Sequence, residues 1–196
     1  MTSSRRPARD RIAGAALALV AAAQCWALEP TEVLSGLARV ERSDASFEET
    51  RHIAALTAPV VRRGTLKYVR PADLEMVVDT PVREVIRVAG PSLVIERRGQ
   101  VREIRLTEMP AIAGWVESVR STLAGDLSAL SRYFTVRASG DAARWQLELI
   151  PLSAELASFV TRVTIAGTGA QITRIEVAEA SGDRSVMNVF PTVRKP

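Results

Sequence analysis

Short runs of alternating apolar and polar residues, cut at close intervals by glycine and proline, leave this chain few folds to choose from. In "GTLKYVRPADLEMVVDTP" (64–81), Leu66 and Tyr68 alternate with Thr65, Lys67 and Val69. Beyond Arg70-Pro71, Leu74, Met76 and Val78 alternate with Glu75, Val77 and Asp79. A period of two is that of a strand with two unlike faces. Pro71 has no N–H to give to a ladder, so it marks the connection of a hairpin. "REVIRVAG", "SLVIERRG" and "VREIRLTE" follow, separated by Gly90-Pro91 and Gly99-Gln100. Such short strands with turn signals between them predict an antiparallel meander that curls into a curved sheet or a barrel.

The flanks extend this pattern. In "ASFEETRHIAAL", Phe47, Glu49, Arg51 and Ile53 share one strand face, and "APVVRRG" reads as the turn into the next strand. "YFTVRAS", "ARWQLELIP", "FVTRVTIAG", "QITRIEVAEA" and "SVMNVFP" bring the total to about ten strands. Helical spacing occurs twice. "TEVLSGLARVE" spaces Val33, Leu34, Leu37 and Val40 with Thr31 as N-cap, predicting a helix near 31–42. "MPAIAGWVESVRSTLAGD" puts Ile112, Trp115, Val116, Val119 and Leu123 on one stripe, continued by Leu127, Leu130 and Tyr133, predicting helices over 110–131. With 196 residues and 47% hydrophobic content, one mainly β (α+β) domain with a real core is expected.

Residues 1–27 read differently. Arg5, Arg6, Arg9 and Arg11 precede the uncharged run "IAGAALALVAAAQCWA", the anatomy of a signal peptide cleaved near Ala27, with Leu28 as the mature start. The run is shorter than the roughly 20 residues a membrane crossing needs. Gln24, before Cys25, is too large for a lipoprotein signal. Cleavage removes four Arg and one Asp, so 22 basic residues face 21 acidic ones and the net charge falls from +4 to about +1. The basic balance then says nothing of nucleic acid, and none is expected as a partner. Export to the periplasm leaves a domain, 28–196, without cysteine, hence without a disulfide or thiolate site.

Little in the sequence suggests catalysis. His52 is the single histidine, which rules out a histidine metal cluster, and it reads as an ordinary strand residue. Glu48 and Glu49 are neighbours on a strand and point to opposite faces, so they form no dyad. No nucleophile elbow, phosphate loop or dinucleotide fingerprint occurs. No cofactor, no metal and no enzymatic activity are expected. A curved sheet with amphipathic helices encloses either a filled core or a ligand cavity, and both stay open on the residues alone.

The order of features resembles the outer-membrane lipoprotein carrier (LolA) family: an amphipathic helix, a "SFEETR" strand, then "GTLKYVRPADLEMVVDTP". "IRLTEMPAIAGWVESVRSTLAGDLSALSRYFTV", "ARWQLELIPLSAEL" and "SGDRSVM" are similar to the LolA-related branch, and the resemblance covers about residues 28–190. It implies an incomplete antiparallel barrel with a helical lid, sheltering acyl chains of lipoproteins or a related lipid on the way to the outer membrane. Arg70 then corresponds to the lid latch, with Leu34 and Leu37 as lid residues. Phe47, Leu66, Tyr68, Met76, Ile86, Ile95, Trp115 and Trp145 would line the cavity. The implied partners are the acylated cargo, an inner-membrane exporter and an outer-membrane acceptor, met by a monomer. The sequence stops at "FPTVRKP", without the carboxy-terminal extension of the best-known carriers, so the usual acceptor is not implied. Two other readings are an exported adaptor that binds an envelope component and an acyl-ester hydrolase using His52.

Overall fold

The computed structural model describes residues 28–192; the reading of 1–27 as an export signal lies outside them. In chain order the elements are α1 (Pro30–Leu37), β1 (Arg42–His52), β2 (Val60–Val69), β3 (Asp73–Thr80), β4 (Glu84–Ala89), β5 (Ser92–Arg97) and β6 (Gln100–Arg105). A 3-10 turn at Leu106–Glu108 leads to α2 (Pro110–Ala124) and α3 (Leu127–Leu130). β7 (Phe134–Gly140), β8 (Trp145–Pro151), α4 (Ala154–Ala157), β9 (Val160–Thr168), β10 (Gln171–Glu179) and β11 (Arg184–Pro191) complete it.

All eleven strands form one antiparallel sheet in the order β6-β5-β4-β3-β2-β1-β11-β10-β9-β8-β7. Two meanders, β1–β6 and β7–β11, are joined where β1 pairs with β11, Phe47 opposite Val189. The outermost strands, β6 and β7, do not pair with each other, so the sheet is not closed into a barrel. The segment between them carries α2 and α3. The helices therefore sit on the connection that crosses the gap.

Several boundaries differ from the sequence reading: Thr31 lies inside the first helix, whose N-cap is Glu29, and Ile53 lies beyond the end of β1. The first helix ends at Leu37 rather than near 42, because Arg42 already pairs with Val69 on β2. "APVVRRG" is largely strand: β2 starts at Val60, since β1 is long enough to pair along its whole length, Arg51 opposite Val60. In both places ladder pairing overrides local pattern. The opening hairpin is as read, Leu66 opposite Met76 and Tyr68 opposite Leu74.

Alternation decides the faces. On β8, Trp145, Leu147 and Leu149 are buried while Gln146 is exposed. They join Leu34, Leu37, Leu130, Phe134, Leu156 and Val163 in the larger apolar cluster, under α1 and α3. Val88, Leu93, Ile104, Leu106 and Val116 form a second cluster beneath α2, and Trp115 packs against both. Each fully buried Leu contributes about 1.5–3 kcal/mol of burial. At the end of α2, Gly125 takes φ +72°, and a Cβ there would lie 2.3 Å from Leu34 O. Only glycine allows the helix to stop in that conformation so close to α1.

The convex face is a wet ladder of ion pairs, among them Arg63–Glu48, Arg87–Glu75 and Arg162–Glu148, each worth little to stability. Glu176 on β10 is the best partnered, with Arg174 at 2.7 Å and Arg184 at 2.5 Å. Hydrogen bonds from Arg184, then Arg174, hold its carboxyl below the ordinary 4.5. A depressed folded value gives stability that is present above about pH 4.5 and lost as the pH falls through the lowered value. Urea midpoints measured from pH 7 to pH 3 should fall more for the native protein than for Glu176→Gln. Parallel curves would show that the two arginines add nothing.

Candidate functional site

Between the concave face and the helices lies a cavity of about 890 Å³. This is within the roughly 300–1,000 Å³ of ligand pockets. Leu66, Met76, Ile86 and Ile95 of β2–β5 form one wall; Ile165, Ile175 and Met187 of β9–β11 form the other. Trp115, Val116, Val119 and Leu123 of α2 form the roof, and Leu37 of α1 reaches the edge. Residues from both meanders line one space, so the sheet is strongly curved. The walls are largely aliphatic, a surface that excludes water and gives an apolar chain little preferred direction.

Six of the eight side chains expected at the cavity line it: Leu66, Tyr68, Met76, Ile86, Ile95 and Trp115. Tyr68 donates its hydroxyl to Pro71 O, and burial pushes its phenol above the ordinary range, against the lowering effect of Arg70. The other two are corrections. Phe47 shares a face with Ala45 and Glu49, but on the central strand it is packed to 2% exposure and does not line the cavity. Trp145 belongs to the larger core: its indole N–H donates to Gly169 O at 2.7 Å, and its ring fills the space a side chain at Gly167 would need. Of the two expected lid residues, Leu37 reaches the cavity. Leu34, 1% exposed, turns into the core instead. His52 is exposed at the end of β1.

Arg70 stands in the turn between β2 and β3, where its guanidinium donates to Ala38 O and, at 3.5 Å, to Ala124 O. Those are carbonyls at the C-terminal ends of α1 and α2, groups without intrahelical partners at the negative ends of two helix dipoles. A planar fork with five donors can serve both at once.

Sequence reasoning missed a second arginine. Arg120 of α2, 9% exposed, donates through Nε to Ala72 O (3.1 Å) and through Nη2 to Gly90 O (2.7 Å). It fastens the helix to the β2–β3 and β4–β5 turns, the reciprocal of Arg70. A signal was present: Arg120 lies one turn after Val116 and directly after Val119, beside the apolar stripe of the helix.

A buried charge row was also missed. Arg62 on β2 lies 3.3 Å from Glu49 on β1 and 3.1 Å from Glu84 on β4, with side chains only 15%, 9% and 19% exposed. It sits on the concave face, and Glu49 and Arg62 line the cavity. For Glu49 the signal was its place on the strand face of Phe47; for Arg62 in "RRG" the sequence carried none.

A family model described as "Outer membrane lipoprotein carrier protein LolA-like" matches residues 21–189. No curated protein sequence matches the chain. Among solved structures, a LolA superfamily protein from Nitrosomonas europaea is 13% identical with a TM-score of 0.46, over 87% of this chain and 96% of its own. Lipoprotein LppX of Mycobacterium tuberculosis is 10% identical with a TM-score of 0.43, over 81% and 89%. The MucA/MucB complex of Pseudomonas aeruginosa gives 8% and 0.44, over 86% and 59%.

Proposed function

The chain belongs to the LolA-like outer membrane lipoprotein carrier family, and from that premise we propose that it is an exported, non-enzymatic carrier which shelters an acyl chain in its cavity. The cargo is a lipoprotein or a related lipid, collected at the inner membrane of the periplasm and delivered towards the outer one. The observation that carries this reading is the largely aliphatic space of about 890 Å³ roofed by α2. An acyl chain moved through water exposes apolar surface at roughly 25 cal/mol per Å², a cost the cavity removes. No nucleophile is needed, because nothing in the transfer is covalent.

Native mass spectrometry of the protein purified from a periplasmic extract tests the reading. Co-purifying acylated species support it. An empty protein that instead retains an envelope protein without lipid would support the adaptor reading.

The two arginines give the carrier its closed state. Arg70 and Arg120 hold the C-terminal half of α2 against the sheet, so entry of cargo must loosen one or both. Arg70 is exposed, and its contribution is discounted to about 1 kcal/mol; the buried Arg120 is worth about 1.5–3 kcal/mol. Arg70→Leu should keep the fold and slow release of a bound fluorescent lipid by about fivefold, because closing again becomes less downhill. Arg70→Lys should fall between, since one ammonium cannot reproduce the fork. Equal off-rates in all three proteins would reduce Arg70 to an ordinary turn residue.

A further inference from the structure

The row of side chains along one cavity wall does not end on an apolar residue. Leu66, Met76, Ile86 and Ile95 pair in turn across β2–β5, and the residue opposite Ile95 on the edge strand β6 is Arg102. Residues directly opposite on antiparallel strands share a face, so Arg102 stands on the concave side. Arg97, two residues beyond Ile95, shares that face and is the diagonal neighbour of Arg102, at roughly 7–8 Å. Both are exposed, and among the described residues neither makes an ion pair. Every other arginine on the eleven strands has one. The carboxylates nearby are engaged elsewhere. Glu84, opposite Arg97, pairs with Arg62 at 3.1 Å, and Arg62 also holds Glu49. Glu96 and Glu103 alternate onto the convex face, where Arg87 at 3.9 Å and Ser92 at 2.7 Å meet them. Glu108 pairs with Arg105. The remaining charged groups at the cavity pair off as Arg42 with Asp44, Lys67 with Glu75 and Arg51 with Glu179. At this end of the concave face, the guanidinia of Arg62, Arg97 and Arg102 therefore face only two carboxylates.

We propose, building on the carrier reading, that Arg97 and Arg102 form an oxyanion subsite where the apolar wall ends, and that the cargo is an acyl or alkyl chain with a carboxylate or phosphate head. The chain lies along Leu66, Met76, Ile86 and Ile95, three inter-strand steps or roughly 14 Å at about 4.8 Å each. The head emerges at β6, the open edge of the sheet, where two planar forks take its oxygens. Neighbouring like charges repel, and an anion between them turns that repulsion into two charge-assisted bonds. Because both arginines face solvent, the head reaches them without being stripped of all its water, and desolvation costs little. A hydroxyl head accepts a hydrogen bond without balancing the charge, and an ammonium meets two like charges. The expected order is anion, hydroxyl, then ammonium.

The test uses four twelve-carbon probes, dodecanoate, dodecyl phosphate, dodecanol and dodecylammonium, each displacing the neutral fluorophore N-phenyl-1-naphthylamine at pH 7 and low ionic strength, below its micellar concentration. In the wild type, the tighter of the two anions should bind at least about fivefold more tightly than dodecylammonium, a modest ratio because the guanidinia are exposed. Whichever anion leads, phosphate or carboxylate, names the head. The double variant Arg97→Gln, Arg102→Gln changes only exposed side chains and should bring the ratio to within about twofold. Arg98→Gln removes a charge from the same hairpin, at its turn rather than beside Ile95, and should leave most of the ratio standing. Equal binding of all four heads, tightest binding of the ammonium, a ratio unchanged in the double variant, or one lost equally in Arg98→Gln overturns the subsite while leaving the carrier reading in place. If neither fluorophore nor any probe binds the wild type, the carrier reading falls and the subsite with it.

Discussion

Replacing Arg62 with methionine is expected to destabilise the protein by about 3–5 kcal/mol, the range for removing one partner of a buried ion pair. Arg62 is the one cation between Glu49 and Glu84, whose side chains are 9% and 19% exposed. Without it, two carboxylates share an inner face from which solvent is largely excluded, and methionine supplies volume but no donor. The loss comes from those stranded charges. The triple replacement Glu49→Leu, Arg62→Met, Glu84→Leu should therefore recover stability to within about 1 kcal/mol of the wild type, because well-packed apolar side chains commonly replace a buried ionic cluster at no net cost. Urea denaturation of the three proteins measures both effects. An Arg62→Met variant as stable as the wild type would mean that the row is effectively solvated. A triple variant no better than the single one would place the cost in packing instead.

Gly64→Val should be more damaging still, with a loss above about 4–5 kcal/mol or failure to fold. A Cβ at this position would lie 1.8 Å from Val77 O and 2.8 Å from Val77 C. The obstacle is backbone of the neighbouring strand, which cannot rotate aside. Gly64 also stands where the register between β2 and β3 shifts, next to Arg63 opposite Thr80. Valine suits strands in general, yet here it would force the shift apart, along with the two inner-face ladders around it. Gly36→Ala provides the comparison: in α1 nothing lies within 4 Å of the new Cβ, and alanine is about 0.5–1 kcal/mol better than glycine inside a helix. The two substitutions should move the thermal midpoint in opposite directions. A folded Gly64→Val protein with a near-native midpoint would show that β2 and β3 can separate without loss.

How much could be read in advance depends on what each residue's signal was about. Alternation such as Leu66, Tyr68 and Leu74, Met76 concerns two faces and a turn, and both are local; the hairpin and its turn were therefore legible, and its register was not. The end of the first helix and the start of β2 were not, because they depend on which strands lie beside β1. Aromatic side chains misled the site reading. Phe47 and Trp145 are apolar and inward, the same signal that Tyr68 and Trp115 give, and only the packing around them separates core from cavity wall. Glu49 and Arg62 failed for the opposite reason: a charged residue on an alternating strand normally marks the wet face, and these two mark the inner one. The family resemblance supplied Arg70, whose meaning lies in two helix ends far away in sequence. Arg120 had no comparable pointer beyond its position beside the stripe of α2.

The gap between β6 and β7 sets how the molecule can change size. In a closed barrel the radius follows from the number of strands and their stagger, so widening it means breaking ladder hydrogen bonds. Here the circumference is completed by α2 and α3, which are attached by side-chain contacts and a few arginine bonds. The ring has an adjustable clasp. On the carrier reading, swelling around a thicker cargo would strain that clasp and leave all ten ladders intact, because the clasp is where the molecule is cheapest to deform. Capacity thus belongs to the helices, while the sheet keeps its shape.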